Sequence, residues 1–158
     1  MSDFNVNIFK ARRAEVAKRM EDNSILVLSS SKLVSRNNDT TFPFRQDSNF
    51  YYLTGFQEPD SILTVQSDGR SVLFCRKKNS ELEKWDGFMW GPDAAKDHFG
   101  FDEAHDISEI NEILPNLIRG QKTLNALVGK SLEFDQKVTS WINKANSMER
   151  HQGNIDLK

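Results

Sequence analysis

Two periodicities organise the chain. After Asn5 and Asn7, either of which can cap a helix, Phe9, Val16 and Met20 recur at intervals of seven and four. That spacing predicts a helix ending near Met20, with Arg12, Arg13, Lys18 and Arg19 making its other faces basic. "ILVLSSS" then predicts a short strand buried on both faces. "LVSRNNDTTFPF" is polar and loop-like, with Pro43 pushing Phe42 out of the helical region. The β-prone run Phe50, Tyr51, Tyr52 and Leu53 predicts a strand, closed at Gly55 by unusual backbone angles or close approach. "SILTVQSDGRSVLFCRK" predicts a hairpin turning at Asp68-Gly69.

Helical spacing dominates the second half. Pro92 and Gly100 bracket a short helix in the manner of a first-turn proline and a terminal glycine. Ile107, Ile110, Leu114 and Leu117 share one face, with Asp106 or Ser108 as cap and Pro115 predicting a kink or an early end. "KTLNALVG" predicts a strand. Phe134, Val138, Trp141 and Ala145 mark a last helical face. "ERHQGNIDLK" is polar and linker-like. Helix, strand, strand, hairpin, helix, helix, strand, helix is the order of an α/β fold with a mixed sheet flanked by helices.

Composition narrows the classes. The chain has 158 residues, 37% hydrophobic and 28% charged, with a net charge of −2. It suits one domain and gives no electrostatic case for nucleic acid or a membrane surface. No apolar stretch approaches the ~20 residues of a membrane span. Cys75, the single cysteine, cannot form an intrachain disulfide and lies in an apolar run, which predicts a buried thiol. A cytoplasmic, reducing setting is the expectation.

The chemistry of a complete active site is missing. His98, His105 and His151 form no HExxH pattern and read as surface histidines. GxSxG, GxGxxG and Walker patterns are absent. Two segments still combine aromatic bulk with fixed polar groups. In "NNDTTFPFRQDSNF", Arg45 can pair with Asp39 or Asp47, as a clamp holding the loop to the sheet or as the polar rim of a substrate channel. In "EKWDGFMWG", Trp85, Phe88, Met89 and Trp90 lie in a segment broken by Gly87 and Gly91. Such large apolar groups bury against their own sheet or against a partner.

These segments resemble the N-terminal domain of the Xaa-Pro aminopeptidases, the aminopeptidase P family. The family pattern YPYRQ-S-F-YLTGF-EPD stands here as "FPFRQDSNFYYLTGFQEPDSIL". The pattern E-WDG---G-DAA stands as Glu83, Trp85, Asp86, Gly87, Gly91, Asp93, Ala94 and Ala95. "FKARRAEVAKRM" and "ISEINEIL" are similar to family helices. Where the family often carries Arg after Trp-Asp-Gly, this chain has Phe88-Met89-Trp90.

The resemblance implies a creatinase/prolidase N-terminal domain with a ribonuclease H-like motif over residues 1–148. Residues 149–158 would begin a linker to a C-terminal catalytic domain of pita-bread fold outside this chain. That domain would hold two manganese ions, with none bound by this chain, and cleave peptides with proline in second position. This domain would cap the cleft and support a homo-oligomer, a dimer or tetramer. Trp85 would reach the substrate pocket of a neighbouring subunit, with Asp39 near the same boundary. A prolidase-like dipeptidase and a stand-alone interaction domain are the alternatives.

Overall fold

The computed structural model describes residues 4–32, 35–36, 40–41, 44–148 and 156–157. Its centre is a six-stranded mixed sheet. In chain order its strands are β1 (Ser24–Ser29), β4 (Ile62–Gln66), β5 (Ser71–Cys75), β6 (Glu103–Asp106), β7 (Thr123–Ala126) and β8 (Asp156–Leu157). Spatially they run β6-β5-β4-β1-β7-β8. β4 pairs antiparallel with β1 and β5, and the other three pairings are parallel. β2 (Ser35–Arg36) and β3 (Thr40–Thr41) form a separate antiparallel pair.

The strict alternation of strand side chains gives the sheet two cores. Ile25, Val27, Ile62 and Phe74 face α5 (Ile110–Ile118) and α6 (Leu132–Met148), where Leu114, Val138 and Trp141 are buried. Leu28, Leu63, Leu73 and Cys75 face the opposite way. There they meet residues of α1 (Val6–Arg19), α2 (Ser48–Thr54) and α4 (Pro92–Phe99). The hairpin, its Asp68-Gly69 turn and the buried Cys75 stand as predicted. Burial, with Glu58 and Asp106 nearby, pushes the Cys75 thiol up to about 12.

Several readings change. Residues 50–53 lie in the helix α2, not in a strand. The Asp47 carboxylate accepts from Phe50 N–H at 3.0 Å, and Gly55 ends the helix with φ +70°. A Cβ on Gly55 would approach the Phe4 ring to 2.6 Å. Both ends are therefore capped, and the spacing of Phe50 and Leu53 turns both into the core while Tyr51 and Tyr52 stay exposed. Capping and burial outweigh strand propensity here.

α5 runs through Pro115 to Ile118. The missing proline N–H would have bonded the Asn111 carbonyl. That carbonyl instead accepts from Lys144 Nζ on α6 at 3.0 Å. β6 was not legible as a strand, because its residues Glu-Ala-His-Asp are polar and half-buried at the end of the sheet. In α1 the buried face is Phe9, Arg13 and Ala17, so Arg13 belongs to the core face rather than the basic one. Within the "linker-like" end, residues 156–157 pair with β7, and 149–155 lie outside the described residues. Among the described residues no helix is long and apolar enough to cross a membrane.

Candidate functional site

The segment Phe44–Ser61 is built on a buried amide. The Gln46 side chain donates through Nε2 to the carbonyls of Phe56 (3.0 Å) and Glu58 (2.9 Å). Its Oε1 accepts from the N–H groups of Ser31 and Asp47, both at 2.9 Å. One carboxamide thus ties the end of β1 to the loop after α2. Arg13 does the same from α1. Its guanidinium is buried, donates to the carbonyls of Leu53 (2.8 Å), Phe99 (3.0 Å) and Gly100 (3.0 Å), and stacks 4.4 Å from the Phe101 ring centre. These carbonyls close α2 and α4, where a cation complements the helix dipoles. Burial pushes Arg13 down to about 10, which leaves it charged at neutral pH.

Gln46 and Arg13 thus tie this segment to its surroundings. Arg45 is exposed, on the rim of an open cleft it shares with Arg12, Tyr51 and Tyr52. Asp47 turns its carboxylate to the start of α2. Asp39 lies outside the described residues. Gln46 is buried among backbone groups of the loops beside it, while Arg45 is exposed and Asp47 is half-buried.

The second segment divides. α3 (Ser80–Asp86) starts at Asn79, whose side chain accepts from Glu81 and Leu82 N–H. Between α3 and α4, Met89 is buried and Trp90 is packed against His98 and Phe99, with ring centres 4.4 and 5.2 Å apart. Trp85 is 86% exposed, Phe88 64% and Leu82 44%. The corner thus presents apolar side chains to solvent on an anchored base. The anchors are two carboxylates. Glu58 is buried, pairs with Arg76 at 3.2 Å and accepts from Trp90 N–H at 2.8 Å. Glu83 accepts from Met89 N–H and Lys78 Nζ, both at 2.8 Å, and these bonds hold its pKa below the ordinary glutamate value.

Sequence reasoning found the exposed aromatics and missed the groups that hold them. Glu58 carried a signal: an acid between Phe56 and Pro59 in an apolar stretch must find a partner when buried. Glu83 stood in the quoted E-WDG pattern without an assigned role, and Lys78, just before the α3 cap Asn79, carried no signal.

Of the histidines, His98 is stacked between Phe4 and Trp90, and His105 lies beside Glu103 and the Phe74 ring. His151 lies outside the described residues. Among the described residues no group of three or more His, Cys, Asp or Glu side chains converges on a metal-sized site. The residues described here do not fit a two-metal centre.

Comparison with known proteins agrees with the fold. The family model described as "Aminopeptidase P, N-terminal domain" matches residues 9–126. The Xaa-Pro aminopeptidase of Haemophilus influenzae is 39% identical over 122 residues, covering 75% of this chain and 28% of its own. That of Escherichia coli is 34% identical over 154 residues, covering 95% of this chain and 35% of its own. The solved structure of Pseudomonas aeruginosa aminopeptidase PepP matches with a TM-score of 0.90 and 35% identity, over 99% of this chain and 37% of that one. Zinc-substituted E. coli aminopeptidase P in complex with product matches with a TM-score of 0.90 and 31% identity, again over 99% and 37%. The chain spans well under half the length of each of these relatives.

Proposed function

The chain belongs to the aminopeptidase P N-terminal domain family, and from that premise we propose that it is the non-catalytic part of a metal-dependent Xaa-Pro aminopeptidase. In this reading a following catalytic domain supplies the metal centre and cleaves the bond before a proline in second position. The present domain caps that cleft and supports a homo-oligomer, in a cytoplasmic setting. The similarity to complete aminopeptidases over about a third of their length favours this division of labour. The metal, manganese in this proposal, would act as Lewis acid and source of hydroxide when bound in the catalytic domain. No residue described here holds it.

The observation that carries the reading is Trp85. A Trp 86% exposed on a corner pinned by Glu58 and Glu83 is costly to leave wet and well suited to close over a partner. Its flat face can cover a proline ring or a short side chain and exclude water from it. Acting in another subunit's cleft, it would make assembly part of the active site.

The test uses the full-length protein. Trp85→Ala should lower kcat/KM on an X-Pro peptide by roughly tenfold, the scale of one lost anchoring contact, without lowering Tm. Unchanged efficiency would sink the reading. The 158-residue chain, supplied with manganese and the same peptide, should show no turnover. Metal-dependent hydrolysis by the chain alone would place the active site here after all.

A further inference from the structure

Trp85 sits in the last turn of α3, but the backbone that follows it and presents Phe88 is held by side chains, not by helix or sheet bonds. From Gly87 to Gly91 the chain has no regular structure. Both polar groups of Met89 nevertheless end on one ion pair. Its N–H donates to Glu83 Oε1 at 2.8 Å, and its carbonyl accepts from Lys78 Nζ at 3.0 Å. Lys78 Nζ also bonds Glu83 Oε1 at 2.8 Å, which closes the ring, and lies 4.6 Å from the Phe88 ring centre. The base is packed as well as bonded. Met89 is buried, and a Cβ on Gly91 would meet Lys78 Cβ at 2.9 Å, so the two stretches lie back to back. Glu83 and Trp85 share α3 and Phe88 is one residue from Met89, so the closed ring of bonds fixes the Phe88 backbone against the helix end that carries Trp85.

We propose that Glu83 and Lys78 are positioning residues, a latch that holds this corner so that Trp85 and Phe88 meet their partner in one preset geometry. The proposal rests on the function proposed above and deepens it. A pre-ordered aromatic loses less conformational freedom on docking than one on a loose loop, and affinity gained this way adds no contact. Neither residue needs to touch the substrate.

The decisive experiment is a double-mutant cycle in the full-length enzyme. Glu83→Ala should lower kcat/KM on an X-Pro peptide by roughly tenfold, because misplacing a contacting group costs as much as removing it. The loss should fall mainly on KM. Glu83→Gln keeps an acceptor for Met89 N–H and should recover most of it. The pair Trp85→Ala with Glu83→Ala should lose less than the sum of the two single losses, since coupled residues do not add. Additive losses would overturn the latch. An impaired Trp85→Ala beside a fully active Glu83→Ala would also overturn it and leave the proposed function standing. An unimpaired Trp85→Ala would instead overturn that function. A second readout needs no activity. In the 158-residue chain, Met89 amide exchange should accelerate in Glu83→Ala and in Lys78→Met, with Ile25 and Leu73 still protected. Unchanged Met89 protection in folded Lys78→Met ends the proposal even if Glu83→Ala fails to fold.

Discussion

Phe44–Ser61 and the corner from Ser80 to Gly91 share a composition and use it in opposite ways. Both mix aromatic rings with charged and amide groups. In the first, Phe50 and Phe56 are fully buried, and the buried Gln46 amide donates to the Phe56 and Glu58 carbonyls beside them. In the second, buried or bonded carboxylates fix the backbone while Trp85 and Phe88 face solvent. Polar anchoring alone therefore marks neither function nor core. What separates the two is where the aromatic surface goes once the backbone is held. Anchoring that serves burial makes a fold; anchoring that keeps apolar surface wet prepares an interface.

The comparison breaks most visibly at the buried side. Arg13→Met removes three bonds to helix-end carbonyls and the stack on Phe101, and should cost about 3–5 kcal/mol of stability by chemical denaturation. Arg13→Lys should restore only part, because a point charge cannot reach carbonyls on two helices as a fork does. Gln46→Ala should cost about 2–4 kcal/mol, since it leaves the Phe56 and Glu58 carbonyls buried and unpaired. Arg45→Ala, by contrast, should stay within ~0.5 kcal/mol, as expected for an exposed side chain. A loss from Arg45→Ala as large as that from Gln46→Ala would return the clamp to Arg45.

The same asymmetry explains what was legible in the sequence. Apolar periodicity revealed β1, the hairpin and the packing faces of α5 and α6, because burial of side chains at fixed spacing is their cause. Trp85 and Phe88 stood out because large rings in a segment broken by glycines are conspicuous. The polar half of the architecture left a fainter trace. Arg13 looked like one more charge on a basic helix, although its spacing of four from Phe9 and Ala17 placed it on the buried face. Arg45 was the conspicuous cation and Gln46 the working group, because an amide that both donates and accepts can satisfy four backbone groups at once. α2 was hidden by β-prone residues whose caps, Asp47 and Gly55, argued for a helix. Pro115 falls in the same class: its lost bond is replaced by a lysine from another helix, which no local pattern announces.

A smaller effect separates the two regions by pH. The Glu83 carboxyl is held below its ordinary value by Lys78 and the Met89 amide. A depressed folded value means the carboxylate's contribution is fully present above the unfolded value and is lost as pH falls through the folded one. Acidification below the ordinary glutamate range should therefore loosen the corner, with Met89 and Trp90 amides exchanging faster once the rates are corrected for intrinsic chemistry. The Gln46 bonds contain no titrating group and should persist over that interval. If Phe56 and Met89 surroundings open together, the corner is not a separate local unit.

The smallest expected effect carries the most functional weight. Trp85→Ala in the 158-residue chain should leave stability within ~0.5 kcal/mol of the parent, because an exposed ring makes little folded-state contact. A Trp packed in its own core would cost roughly 3–5 kcal/mol on the same truncation, as Trp141→Ala should through lost packing in the α5–α6 core and its bond to Asn111. Fluorescence sharpens the contrast. With Trp90 and Trp141 changed to Phe, Trp85 should be quenched by acrylamide nearly as well as free tryptophan in the isolated chain, and much less in the full-length assembly. Quenching that is efficient in both would mean that nothing ever covers this ring, and the corner would then be anchored for no partner.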